Sequence, residues 1–113
     1  IISSPAFRAI ETALIFALEF GVDPDKIILN NNIYYKMNLR HLHEILSIGE
    51  NCETIILFGH NPSFSEIVSG LCKEGCEFMS KTSVAGISFD IMKWEEIRQK
   101  SGKLVYFLKP DKE

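Results

Sequence analysis

Apolar residues recur at helical spacing near the start of the chain. Phe7, Ile10, Leu14, Ala17 and Leu18 fall on one stripe, which predicts a helix with that stripe turned toward a core. Ser4 is its expected cap, Pro5 suits its first position and Gly21 its stop. Ahead of it, Ile1 and Ile2 read as the last residues of a buried strand. Residues 22–26 carry the turn Asp23-Pro24-Asp25, and Ile27, Ile28 and Leu29 form a short apolar run, expected to be a buried strand. Asn30, Asn31 and Asn32 break that run, since Asn favours turns and caps. Asn38 opens a second helix with Leu39, Leu42, Ile45 and Leu46 on its inner face and Gly49 as its stop. Residues 54–58 are β-branched and apolar without alternation, the pattern of a central parallel strand. Gly59-His60-Asn61-Pro62-Ser63 is the turn into a third helix, roughly residues 64–71. Residues 84–91 and 104–108 are strand-like, joined by a helical turn at Trp94-Glu95-Glu96-Ile97 and by Gly102.

This order of elements predicts an α/β fold, a three-layer α/β/α sandwich with a mostly parallel sheet. At 113 residues the chain holds one domain, 1–113, and one core. A domain rarely opens on a strand stub, and no Met precedes Ile1. The expectation is therefore a domain incomplete at its N-terminus, its sheet lacking a first strand and helix.

Composition narrows the functions. Hydrophobic residues are 46% and charged residues 24%, ordinary for a globular protein. A formal net charge of -3 argues against a nucleic-acid groove or an anionic membrane surface as partner. No apolar run approaches the roughly 18 residues of a spanning helix, and no secretory signal is expected. Three cysteines, an odd number, suggest free thiols in a reducing, cytoplasmic setting.

Two strand-to-helix corners carry candidate chemistry, because ligands of open parallel sheets bind beyond the carboxyl ends of the strands. Arg8 lies in the first turns of its helix, where a cation opposes the helix dipole. An anion bound there would reverse that cost, since exposed N–H groups and a guanidinium fork both favour one. The plain alternative is an exposed Arg8 paired with Glu11. At the second corner Gly59 permits a sharp turn, and His60 projects from the strand end toward the same edge as Arg8. Its plain alternative is a histidine capping the loop. Ser4 and Asn61 are further candidate phosphate contacts, as are Ser3 and Ser63, though capping a helix explains each of the serines equally.

These two segments resemble the histidine phosphatase superfamily, most closely its SixA-type phosphohistidine phosphatase branch. The stretch Ile1-Ile2-Ser3-Ser4-Pro5-Ala6-Phe7-Arg8-Ala9-Ile10-Glu11-Thr12-Ala13 is similar to that branch's serine-proline, arginine-alanine, threonine-alanine segment. Phe58-Gly59-His60-Asn61-Pro62-Ser63 is similar to its glycine-histidine-asparagine-proline turn. Tyr34, Lys81-Thr82-Ser83, Trp94 and the ending from Lys103 to Pro110 also sit where the branch leads one to expect.

The resemblance implies a phosphatase acting on phosphohistidine in a protein or on a small phosphomonoester, with no cofactor and no metal. It implies a covalent phosphohistidine on an Arg-His-Gly histidine, with Arg8 and His60 as pocket cations that stabilise the phosphoryl oxygens in flight. The chain departs from the family twice. No Arg-His-Gly occurs: His41 and His43 lie beside Arg40 without a following glycine and read as solvated helix positions. The nucleophile is then expected in a preceding segment, and the chain alone is expected to be inert. The loop after Leu29, which in many members holds a carboxylate acid, here reads Asn30-Asn31-Asn32-Ile33-Tyr34. An imidazole leaving group needs less help from an acid than an alkoxide does.

Other features read more simply. Cys72 and Cys76 are spaced C-x3-C, without a second pair to complete a zinc site. Cys52 reads as a small buried or rim residue. Trp94, Phe89 and Phe107 read as packing, and Glu95-Glu96 and residues 109–113 as solvated surface. A response-regulator receiver needs an aspartate at a strand end, where Ser3, Asn30 and Gly59 stand instead. The rivals left are a non-catalytic phospho-ligand binding module and a sugar- or nucleotide-phosphate monoesterase.

Overall fold

Ile2 and Ser3 form β1 (Ile2–Ser3), a fully buried strand with a neighbour on each side. The computed structural model describes residues 1–33, 37–61, 63–76, 79 and 83–109, and within it the chain divides into two compact units, Ile1–His60 and Asn61–Glu113.

In the first unit β1 is the middle of a three-stranded parallel sheet of order β2-β1-β3, with β2 (Ile28–Leu29) and β3 (Leu57–Phe58) on its flanks. Ile2 pairs with Ile28 and Leu57, and Ser3 with Leu29 and Phe58. The ladder extends beyond the strands: Ser4 N–H donates to Phe58 O at 2.9 Å, and Asn30 N–H to Ser3 O at 2.9 Å. Residues 54–58, expected as a central strand, thus contribute an edge, and Phe58 and its neighbours are half-buried. Ile28 and Leu29, expected buried, lie on the opposite edge and are exposed by 39% and 52%. The centre is taken by β1, so the short apolar runs on either side lie at its margins.

Helix α1 (Phe7–Phe20) packs on β1 and β3 through Ala9, Ala13 and Ala17, a stripe of small residues at i, i+4 and i+8. This corrects the expected stripe: of its members only Ala17 is buried, while Phe7, Leu14 and Leu18 are exposed and Ile10 is half-buried. Small side chains let the helix backbone approach the sheet closely. The larger ones rotate outward, except Phe16, whose ring meets Phe58 edge-on at 5.1 Å. Gly21, at φ 69°, closes the helix in the left-handed conformation, its N–H directed to Ala17 and Leu18 carbonyls. Helix α2 (Leu39–Ser47) follows the expected pattern, with Asn38 as cap and Leu42, Ile45 and Leu46 buried. His41 stands in its first turn: Asn38 Oδ1 accepts from His41 N–H at 2.9 Å, and His41 Nδ1 faces Asn38 N–H at 3.4 Å. Neither His41 nor His43 is fully solvated; both are half-buried.

In the second unit α3 (Ser63–Leu71) accompanies an antiparallel pair, β4 (Val84–Ser88) and β5 (Lys103–Leu108). Val68, Cys72 and Met79 form its buried cluster, against which Phe64, Cys76, Ala85, Ile87, Leu104 and Phe107 pack. Phe107 is therefore packing, as expected. The register of β4 and β5 shifts between Gly86 and Ile87, and the Tyr106 ring occupies the space a side chain at Gly86 would take. The parallel sheet and this antiparallel ribbon are separate sheets. Among the described residues no helix is long and apolar enough to cross a membrane.

Candidate functional site

The first corner forms because β1 ends at Ser3 while Ser4 still bonds to the neighbouring strand through Phe58 O. Ser4 is therefore not the helix cap. Its hydroxyl accepts the Ala6 N–H at 3.2 Å, Ala6 stands at the cap position with no side-chain bond of its own, and α1 starts at Phe7 rather than at Pro5. The first intrahelical bond is Ile10 N–H to Ala6 O at 3.1 Å. The N–H groups of Phe7, Arg8 and Ala9 precede it and have no acceptor within the helix. Arg8 is exposed at the second helical position, in a first turn with no acidic residue. Among the described residues no ion pair joins it to Glu11, whereas Arg40 and Glu44 form one at 3.5 Å on α2.

The second corner follows β3, which runs parallel to β1 and beside it. Gly59 and His60 leave Phe58 at the same carboxyl edge from which Ser4 leaves Ser3. The two corners touch. Ser4 Oγ, buried, lies 2.7 Å from His60 Nε2. A hydroxyl has one proton to give and two lone pairs. Having accepted from Ala6 N–H, it can still donate to a neutral imidazole or accept from a protonated one. The ring is thereby held at the strand edge in either state. The two corners thus meet at one edge of the first unit, and α1, with Arg8 exposed in its first turn, starts from the same corner as Ser4. Ser3 is fully buried, its Oγ donating to Ser4 O at 2.8 Å, which holds it within the chain's own backbone.

Beyond the third strand end, Asn30 turns the chain inward. Its Oδ1 accepts from Asn32 N–H at 2.9 Å, leading to Ile33, which is fully buried. No carboxylate stands among these residues; Tyr34 lies outside the described residues, as do Pro62, Lys81, Thr82 and Pro110.

Asn61 belongs to the second unit, where both ends of its amide are bonded in a local knot. Nδ2 donates to Met79 O, while Oδ1 accepts from Ser65 N–H at 3.2 Å and from the Ser65 hydroxyl at 2.6 Å. Ser65 Oγ in turn accepts from Met79 N–H at 2.9 Å. Sequence reasoning missed Ser65 and the His41 cap. Each was signalled only by spacing, Asn61 to Ser65 at i+4 and Asn38 to His41 at i+3. Ser63, buried, is the first residue of α3. Among the cysteines Cys52 is exposed, Cys72 buried and Cys76 half-buried.

No protein-family model matches the chain, and neither does any curated protein or solved structure.

Proposed function

We propose that the carboxyl edge of the β1–β3 pair is half of an oxyanion pocket, and that the chain is the phosphate-receiving part of a SixA-type histidine phosphatase domain with a three-layer α/β/α architecture. The observation that carries this reading is the 2.7 Å contact of Ser4 Oγ with His60 Nε2. It ties an imidazole to the turn from which α1 starts, and Arg8 lies one residue into that helix. The Arg8 guanidinium and the N–H groups of the first turn bind a tetrahedral oxyanion, and the His60 imidazole, oriented by Ser4, stands beside it as a further polar contact. Such fixed cationic donors favour the transition state of phosphoryl transfer, in which negative charge spreads over three equatorial oxygens.

The substrate is phosphohistidine in a protein, or a small phosphomonoester. A histidine in an Arg-His-Gly turn attacks phosphorus, the P–N or P–O bond to the leaving group breaks, and water then hydrolyses the phosphohistidine. None of His41, His43 and His60 has that context, so the reading draws the nucleophile from polypeptide other than these 113 residues. The carboxylate-free loop at Asn30 favours an imidazole leaving group over an alkoxide.

Titration of the isotope-labelled chain with inorganic phosphate and with tungstate tests the pocket. Saturable shifts are expected at His60 and at the amides of residues 7–9. Arg8→Ala and His60→Ala should each weaken binding roughly ten- to a hundredfold, the loss of a charge-assisted hydrogen bond. Absence of saturable shifts, or equal affinity in both variants, overturns the pocket. The chain alone should release no phosphate from a phosphohistidine peptide, and release would overturn the external nucleophile. The lack of an Arg-His-Gly also favours a second reading, a non-catalytic phospho-ligand module. That reading stands if phosphate binds as described and a supplied Arg-His-Gly segment restores no turnover.

A further inference from the structure

The C-x3-C segment closing α3 has a geometry that the oxyanion pocket does not use. Cys72 follows the last helical residue and is 1% exposed. It is fixed on both sides by Gly102, through Lys73 N–H to Gly102 O at 2.9 Å and Gly102 N–H to Leu71 O at 2.7 Å. From there the chain makes a hydrogen-bonded turn, Gly75 N–H donating to Cys72 O at 3.0 Å. Such a turn keeps its end residues, Cys72 and Gly75, within about 7 Å, and Cys76 follows directly. Gly75 has φ 77°, and Cys76 packs, half-buried, on the cluster to which Cys72 belongs. Lys100, itself left-handed at φ 59°, is held over the same turn. Its N–H donates to Gly70 O at 2.8 Å and its Nζ to Ser69 O at 3.0 Å.

We propose that Cys72 and Cys76 are a redox-active dithiol that closes reversibly to an intramolecular disulfide when a hydroperoxide oxidises Cys76. Cys76 is the more accessible thiol, so it reacts first: its sulfur takes one oxygen from the peroxide O–O bond, giving a sulfenic acid and an alcohol or water. The Cys72 thiol then attacks that sulfur. The S–O bond breaks, the S–S bond forms, and the hydroxyl leaves as water with the Cys72 proton. A cellular dithiol reverses the step by exchange, becoming a disulfide itself. Burial pushes the Cys72 thiol above its ordinary range and the neighbouring Cys76 adds to the rise, while the Lys100 ammonium opposes it. Cys72 is thus the thiol kept in reserve, with a cation nearby to favour its thiolate when it reacts.

The test uses the full chain carrying Cys52→Ser, since Cys52 is exposed and shares a tryptic peptide with Cys72. After one equivalent of hydrogen peroxide, trypsin cleavage at Lys73 should yield two peptides linked by a bond that dithiothreitol breaks, with a mass about 2 Da below the sum of the thiol forms. With Cys76→Ser the link should be lost and Cys72 should remain alkylatable after unfolding. With Cys72→Ser, dimedone should trap a sulfenic acid on Cys76. Accumulation of sulfinic acid on Cys76 without a link, or a link in the wild-type pair that dithiothreitol does not reverse, overturns the proposal. If Cys72→Ser does not fold, the Cys76→Ser comparison decides alone.

Discussion

Ser4 Oγ and His60 Nε2 lie 2.7 Å apart across fifty-six residues of sequence, joined because β1 and β3 are parallel neighbours that end at the same level. Removing the hydroxyl takes one hydrogen bond from the Ala6 N–H and one from the imidazole. Ser4→Ala should therefore cost about 1–3 kcal/mol of unfolding free energy, the usual penalty for stranding a buried polar group. It should also move the His60 Nε2 resonance. Urea denaturation and nitrogen-detected NMR measure the two. An unmoved resonance would remove Ser4 as the residue that orients the ring.

The alanine stripe of α1 makes opposite expectations at Ala13 and at Leu18. Ala13 is fully buried, so Ala13→Leu should overpack the helix–sheet contact and lose about 1–3 kcal/mol. Leu14 and Leu18 point outward, and Leu18→Ala should change stability by no more than about 0.5 kcal/mol. A large loss at Leu18 with tolerance at Ala13 would reverse the helix orientation described.

At Gly86 a side chain has to displace the Tyr106 ring. Gly86→Ala should destabilise the wild type, and the loss should shrink in a Tyr106→Ala background. A coupling energy of at least about 0.5 kcal/mol is expected from the double-mutant cycle. Additive losses would show that the ring does not need the glycine.

The thiol of Cys72 gives a pH dependence with a definite sign. Burial favours its protonated form in the folded state and raises its pKa above that of the unfolded chain. The resulting stabilisation is complete below the unfolded thiol's range and is lost as pH rises through the folded value. Thermal melts of wild type and Cys72→Ala should converge as the pH is raised through the alkaline range, and maleimide should label Cys52 well before Cys72 at neutral pH. A difference in melting temperature that is constant with pH would contradict this.

What could be seen in the sequence depended on how far each residue's environment was local. The Asn38 cap, the buried face of α2 and the start of α3 were legible because capping and 3.6-residue spacing are properties of neighbouring positions. The α1 face was misread because spacing alone does not say which of two apolar stripes meets the sheet. Alanines at 9, 13 and 17 carry little hydrophobic weight, yet their size is what allows the helix to sit close. The edges were misread for the same kind of reason: Ile28 and Leu57 have the composition of central strands, but Ile2 holds the central place. In the site, the meeting of the two strand-to-helix corners at one edge followed from strand-end logic. The Ser4–His60 contact did not, since a serine ahead of a helix is usually spent on the cap.

The parallel pairing of β1 also governs when the site comes into being. Its two partners arrive 26 and 55 positions downstream, so none of the ladder can form from a local hairpin, and the entropy of closing both loops is spent before any pairing is gained. A nascent chain still short of residue 60 can fold its helices but cannot assemble this edge. The imidazole that the oxyanion reading depends on is the last piece to arrive, which makes anion affinity a reporter of completed folding rather than of helix content.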